Sequence, residues 1–209
     1  MRSTQIPLFT PETEWVMPEE LKDLKGYKEI AIDLETNDPK LIELGSGNVT
    51  GNGHIAGIAI AVEGWAGYFP IYHESGGNLD KKLVYSWLQE ILNQTDTTFI
   101  FHNAMYDVCW LRTEGLVVKG KIVDTMIAAS LIDENRLSYQ LNTLSKHYIG
   151  MGKDENILNA AAKEYGLDPK KDMWRLPALF VGQYAERDAE ATLKLWKKLE
   201  TELYKEELW

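Results

Sequence analysis

The most constraining feature of this 209-residue chain is a set of four acidic residues in three short, mainly apolar segments. The first segment, EIAIDLE, is typical of a β-strand, and the alternation of a strand places its two last acids on one face. The other segments, NAMYD and YAERD, are typical of helices, in which residues four positions apart share a face. Carboxylates among apolar neighbours are costly to bury unless a cation compensates them, so we expect the four to converge on metal ions. They are Asp33, Glu35, Asp107 and Asp188.

The chemistry of these ligands indicates which metal and which reaction to expect. Oxygen-only ligands suit Mg²⁺ or Mn²⁺ rather than Zn²⁺, and two such cations about 3.5–4 Å apart can clamp the oxygens of an in-line phosphoryl displacement. Asp33, on a central strand, suits a ligand that bridges both cations, with Glu35 completing one shell and Asp107 and Asp188 the remainder. Tyr184 lies one helical turn before Asp188, and its high pKa favours orienting a water over acting as a base.

Composition limits the class of protein. The length fits one domain, and 44% hydrophobic and 26% charged residues are typical of a soluble globular protein. A single cysteine excludes an internal disulfide, and no apolar run approaches the roughly 20 residues of a membrane span. The net charge of −10 argues against a broad basic nucleic-acid surface, but not against an enzyme that holds a strand end through metals. We therefore expect a cytoplasmic protein with no membrane partner.

The order of the predicted elements indicates an α/β domain with a mixed five-stranded sheet flanked by helices. Residues 1–24 are expected to form an N-terminal approach segment, with a short helix in PEELKDL, and residues 25–209 the domain itself. Strands are predicted at 29–35, 55–62, 67–72, 97–102 and 121–124. Helices are predicted at 80–92, 103–112, 125–133 and 139–148, in short pieces within 150–176, and from 177 to the end of the chain.

The segments DLET, HNAMYD and YAERD resemble the three motifs of the DEDD-type 3′-to-5′ exonucleases, which have a ribonuclease H-like fold. The resemblance covers roughly residues 28–199 and is closest to the proofreading domain of family A DNA polymerases, including bacterial DNA polymerase I and its phage relatives. Gln183 and Tyr184 stand where the histidine and tyrosine branches of the superfamily differ, so the chain resembles the tyrosine branch. The resemblance implies that the four acids bind metal, that Tyr184 positions the attacking water, and that Thr36 and Asn103 hold the terminal nucleotide.

The resemblance implies a two-metal 3′-to-5′ exonuclease that uses Mg²⁺ or Mn²⁺ and releases nucleoside monophosphates from single-stranded or frayed DNA 3′ ends. Its expected setting is proofreading beside a polymerase domain in cis or in trans, in the host cytoplasm if a phage encodes it. A predicted helix still continuing at Trp209 suggests that a polymerase portion was cut off or is encoded separately. Where the family has an apolar wedge against the terminal base, either Pro39 or Leu41 is expected to serve.

Alternative interpretations remain open at this stage. They are a free-standing exoribonuclease of the same fold, a non-catalytic scaffold domain beside a polymerase, and a small-molecule phosphodiesterase. Among individual residues, Asn103 suits a helix N-cap as well as a substrate contact. Asp124 is expected to cap a helix rather than to be a fifth ligand, and His102 to be a packed neighbour rather than a base.

Overall fold

A computed structural model describes residues 9–209 and contains a five-stranded sheet with helices on both faces. The strands are β1 (Glu29–Asn37), β2 (His54–Val62), β3 (Trp65–Pro70), β4 (Thr98–Phe101) and β5 (Lys121–Asp124). The helices are α1 (Leu41–Leu44), α2 (Gly47–Thr50), α3 (Lys81–Leu92), α4 (Ala104–Thr113), α5 (Thr125–Ile132), α6 (Leu141–Ile149), α7 (Asn156–Tyr165) and α8 (Gly182–Lys205). Two 3₁₀ turns, Met173–Arg175 and Ala178–Phe180, precede α8.

The sheet is mixed, in the strand order β3-β2-β1-β4-β5, which confirms the predicted fold class. A tight hairpin joins β2 to β3, and β2 runs antiparallel to β1. β1 pairs in parallel with β4, which pairs in parallel with β5, so helices make the crossovers between these three strands. β1 is therefore the central strand of the sheet, as predicted.

The alternation of β1 divides the core into two layers. Ile30, Ile32 and Leu34 face a core formed with α3 and α4, whereas Ala31 faces the core that α8 covers. Asp33 shares a face with Ala31, since the side chains of a strand alternate. Asp33 and Glu35 thus lie at the far end of the layer packed beneath α8.

Small residues bring α8 close to the sheet. Ala185 and Ala189 on the helix are fully buried, as are Ala31, Ala59 and Ala61 on the strands opposite. Alanine at a packed surface lets backbones approach closely, and burial of Trp196 and Leu199 further along the helix anchors its second half. The close approach matters because α8 carries Tyr184 and Asp188 on the same side.

The described part of the N-terminal segment packs onto the domain without forming the predicted short helix in residues 18–24. Leu24 is buried beneath the sheet, and the indole N–H of Trp87 donates to the carbonyl of Lys22 (2.9 Å). Trp15 is buried against α8, and its indole N–H donates to Glu186 (2.7 Å). The helix prediction was wrong because seven residues are too few to nucleate a helix alone, and tertiary contacts fix the segment in another conformation.

Other boundaries also differ from those predicted. The residues between β1 and β2 contain the short helices α1 and α2 instead of only a loop. α8 begins at Gly182 rather than near Pro177, and it ends at Lys205 rather than continuing to Trp209. At its end Glu207 adopts a left-handed conformation (φ 57°), and the N–H of Leu208 donates to the carbonyl of Leu203 (2.9 Å). Among residues 9–209, no helix is long and apolar enough to cross a membrane.

Candidate active site

The pairing of β1 with β2 has an irregularity directly after Glu35. Glu35 pairs with Gly57 but Thr36 pairs with Ile55, so Ala56 of β2 is an extra residue in the ladder. The carbonyl of Ala56 accepts hydrogen bonds from the two residues that follow β3 (2.9 Å each). Regular pairing therefore continues through Asp33 and Glu35 and changes immediately beyond them.

Helix α4 brings the third acid to the same end of β1. β1 pairs with β4 only from Glu29 to Ala31, which leaves the N–H of Leu34 free to donate to the carboxylate of Asp107. Asp107 is only 4% exposed and lies in the first turn of α4. Its neighbour Asn103 has a left-handed backbone (φ 67°, ψ 56°), and its side chain does not cap the helix. The capping interpretation of Asn103 was therefore wrong, and its exposed side chain lies at the wall of the cleft.

Asp124 fixes the start of two helices at once. Its carboxylate accepts the N–H of Met126 (2.8 Å) and of Ile127 (3.4 Å), which confirms it as the N-cap of α5. It also accepts the N–H of Asn103 (3.1 Å) and of Ala104 (2.8 Å) at the start of α4. With its oxygens occupied in this way, Asp124 positions the helix that carries Asp107.

Helix α8 supplies the fourth acid and the tyrosine. Asp188 is 6% exposed, and Tyr184 lies one helical turn earlier on the same face. Because Tyr184 and Asp188 lie on the face of α8 that packs against β1, both reach the end of the strand where Asp33 and Glu35 lie. The four predicted ligands and the tyrosine are brought together.

Sequence reasoning missed one residue of this cluster, Lys153. Its ammonium donates to Tyr184 Oη and to Asp188 Oδ2, at 2.8 Å in each case. Lys153 lies in the connection between α6 and α7, which has no periodic pattern. The GMGK sequence there gave no recognisable signal of a place in the site.

Mutual repulsion and burial disfavour ionisation of the carboxylates. Burial and the neighbouring Asp188 raise the pKa of Asp33 to about 7, against the opposing effect of Lys153. Burial, followed by the charge of Asp33, raises the pKa of both Glu35 and Asp107 well above the ordinary range. A divalent cation would relieve this repulsion, so the donor set fits Mg²⁺ or Mn²⁺ by charge as well as by ligand type.

The carboxylates couple electrostatically without already forming a closed ligand shell. Within residues 9–209, no group of three His, Cys, Asp or Glu side chains is arranged to hold a metal ion as it stands. Four ionised carboxylates repel one another, so their side chains stay apart unless cations bind between them. In the structure the ammonium of Lys153 forms a salt bridge with one of the four, Asp188. The residues are suitable ligands, and binding requires their side chains to close on the metal.

Asp33, Glu35 and Asp188 open onto a cleft of about 800 Å³, and Asp107 is buried beside them. Lys170 and the fully exposed Leu137 lie on its walls with Asn103. His102 also lines the cleft, but its ring bonds to Thr125 Oγ1 (2.8 Å) and to the carbonyl of Tyr139. Burial lowers the pKa of His102, which agrees with a packed neighbour rather than a base.

The structure directs the hydroxyl of Thr36 away from the acids. Thr36 Oγ1 is 2.7 Å from the hydroxyl of Tyr106, which in turn donates to Asp38 (3.1 Å). Only the backbone of Thr36 remains beside Glu35. Of the two predicted substrate contacts, Asn103 lines the cleft and Thr36 supports the helix that carries Asp107.

The sheet is ribonuclease H-like, and four acids and a tyrosine lie together near one end of its central strand. This combination defines a class of nucleases. Residues 9–204 match the sequence model of a 3′-5′ exonuclease family, and the chain belongs to this family. It is 40% identical to a DNA-directed DNA polymerase of Pseudomonas phage M6, over the whole chain and 32% of that polymerase. It is 28% identical to DNA polymerase I of Synechocystis, over 65% of the chain and 13% of the polymerase. The chain thus spans about a third or less of the length of these relatives.

Solved structures show the same fold at low sequence identity. Brucella melitensis NrnC with bound Mg²⁺ superposes with a TM-score of 0.62 and 19% identity, over 90% of this chain and 80% of NrnC. The catalytic core of RRP6 from Trypanosoma brucei superposes with a TM-score of 0.60 and 21% identity, over 87% of this chain and 42% of that core. The likeness supports the ribonuclease H-like architecture.

Proposed function

We propose that this chain is a two-metal 3′-to-5′ exonuclease that removes nucleoside monophosphates from single-stranded or frayed DNA 3′ ends during proofreading. The observation that carries the proposal is that Asp33, Glu35, Asp188 and Tyr184 line one cleft, with Asp107 buried beside Asp33 and Glu35. The family supports the 3′-5′ exonuclease activity, and the polymerase relatives support DNA and a polymerase partner. Because several relatives are phage proteins, the host cytoplasm is the proposed setting.

The four acids would hold two Mg²⁺ or Mn²⁺ ions, which supply an activated water and stabilise the leaving oxygen of the phosphodiester. Tyr184 Oη accepts a hydrogen bond from Lys153, so the tyrosine acts as a donor through its own proton. Burial and the surrounding carboxylates raise the pKa of Tyr184, which keeps that proton in place. Tyr184 therefore orients an oxygen at the reacting phosphate and does not remove its proton.

The walls of the cleft suit a flexible strand end. Asn103 presents an exposed amide beside the acids, and Leu137 presents an exposed apolar side chain for a base to rest on. Lys170 adds a positive charge that favours the phosphate backbone. In the rest of the chain acids outnumber bases, so affinity for DNA is expected to depend on the bound metals and on a polymerase partner.

The test is a pair of labelled oligonucleotides of identical sequence, one DNA and one RNA, incubated with Mg²⁺ or Mn²⁺. A 5′-labelled DNA strand should shorten as a ladder, and a 3′-labelled strand should release only labelled mononucleotide. Asp33→Asn should remove the activity, and chelation should do the same. An Asp33→Asn variant as active as the wild type would contradict the metal site, and faster cleavage of RNA would favour an exoribonuclease.

A further inference from the structure

Lys153 places a positive charge inside the acid cluster, where the proposed reaction does not require one. Its ammonium lies 2.8 Å from Asp188 Oδ2 and 2.8 Å from Tyr184 Oη. It also lies 4.8 Å from the centre of the Tyr184 ring. The side chain of Lys153 is 24% exposed and that of Asp188 is 9% exposed, so water screens this pair less than a surface ion pair.

The backbone around Lys153 is fixed by contacts with two helices. α6 ends at Ile149, and the φ of 66° at the following Gly150 lets the chain turn back towards the site. The carbonyl of Gly152 accepts two hydrogen bonds from the guanidinium of Arg187 (3.0 and 2.9 Å), the residue next to Asp188 on α8. The N–H of Lys153 donates to the side chain of Asn142 on α6 (3.0 Å). The position of the ammonium is therefore a property of the fold rather than of a free surface side chain.

We propose that Lys153 is a positioning residue that serves as the resident counter-ion of the carboxylates. It holds Asp188 and Tyr184 in place while the site has no metal, and it weakens divalent-cation binding until a phosphodiester enters. This inference rests on the proposed two-metal function and assigns a role to a residue outside its ligand set.

The charge balance of the site gives the reason. Two divalent cations would neutralise four ionised carboxylates, so the ammonium of Lys153 leaves one positive charge in excess. The single negative charge of a phosphodiester would restore neutrality. A unit charge about 5 Å from a divalent cation weakens its binding about tenfold even in a water-like dielectric. Lys153 thereby couples full occupancy by metal to the arrival of nucleic acid.

The test is calorimetric titration of the chelator-treated full chain with Mn²⁺ alone, in the absence of DNA. Lys153→Met should bind Mn²⁺ about tenfold or more tightly than the wild type, because the competing charge is gone. Lys153→Arg keeps the charge and should change the affinity by less than about threefold. Lys146→Met removes an exposed lysine of α6 and serves as the matched control. Unchanged or weaker Mn²⁺ binding by Lys153→Met would overturn the proposal.

Two further measurements distinguish a failure of the role of Lys153 from a failure of the proposed metal site. In chelator, Lys153→Met should melt at a lower temperature than Lys146→Met, and excess Mn²⁺ should abolish the difference; equal melting in chelator would contradict the counter-ion role. Asp33→Asn should lose Mn²⁺ binding. If Asp33→Asn binds Mn²⁺ like the wild type, the metal site itself is wrong. If it loses binding while Lys153→Met matches the wild type, only the role of Lys153 fails.

Discussion

Replacement of Asp124 by alanine tests how the fold positions the active site. The substitution removes the N-cap of α5, which costs about 1–2 kcal/mol. It also leaves the N–H groups of Asn103 and Ala104 without their acceptor. A typical hydrogen bond contributes about 1 kcal/mol, and this cost applies most fully to the N–H of Ala104, because that residue is buried. Together these losses predict destabilisation by about 3 kcal/mol, or a melting temperature lowered by roughly 6–12 °C for a domain of this size. Because α4 loses its anchor, displacement of Asp107 should also lower nuclease activity.

Urea unfolding followed by tryptophan fluorescence measures this cost, with Asp124→Asn as the matched control. Asparagine is as good an N-cap as aspartate and keeps one oxygen acceptor, so it should lose about 1 kcal/mol through the bond to Ala104. Mn²⁺ affinity should be unchanged in Asp124→Asn. A loss below about 1 kcal/mol in Asp124→Ala would refute the reasoning. Loss of Mn²⁺ binding in Asp124→Asn would instead identify Asp124 as a ligand.

Three other predictions concern the pH dependence, the packing of α8 and the tyrosine. The raised pKa of Asp33, about 7 against an ordinary 3.8, means that the native state keeps a proton that the unfolded chain has lost. The metal-free protein should therefore lose stability as pH rises from about 4 to about 7. Asp33→Asn should make the fall of the melting temperature measured in chelator shallower across that range, with Glu35 and Asp107 supplying the remainder. A flat wild-type profile would contradict this. In Gly182→Ala the new Cβ would lie 2.0 Å from the ring of Trp15, so the free energy of unfolding measured in urea should fall by about 1–3 kcal/mol. A variant as stable as the wild type would show that the indole can move away freely. Tyr184→Phe should bind Mn²⁺ like the wild type and cleave about tenfold more slowly or worse, since it loses the hydroxyl proton that would be donated to the reacting oxygen. A single-turnover rate equal to that of the wild type would exclude an orienting role.

Local patterns were sufficient to predict the elements that carry the acids. The apolar alternation of β1 fixes which face Asp33 and Glu35 share, and a four-residue interval fixes how Tyr184 and Asp188 share a helix face. Both relations follow from the backbone geometry of a strand or a helix, so they hold wherever that element forms, independent of its tertiary contacts. The mixed sheet followed from the sequence of strands and helices for the same reason.

Features that depend on tertiary contacts could not be predicted in this way. Lys153 reaches the acids only because Arg187 and Asn142 hold its backbone, and neither contact has a local sequence signal. Asn103 has the residue type of an N-cap, yet the carboxylate of Asp124, at the end of the neighbouring strand β5, accepts the N–H groups at the start of α4 instead. Likewise, the hydroxyl of Thr36 turns to Tyr106, a partner that lies on another element. In each case a distant residue decides between two locally acceptable conformations.

The extra residue in β2, Ala56, determines where this strand can tolerate an insertion or a deletion. Deleting Ala56 would leave Gly57 opposite Glu35 and Ile55 opposite Thr36, so neighbouring side chains would keep their faces. Deleting Ile60 instead would reverse the faces of every β2 residue on one side of the gap, exchanging buried isoleucines with the alanines beneath α8. We expect insertions and deletions among relatives to be excluded from β2 except beside Ala56, and to collect in the connections around the cleft.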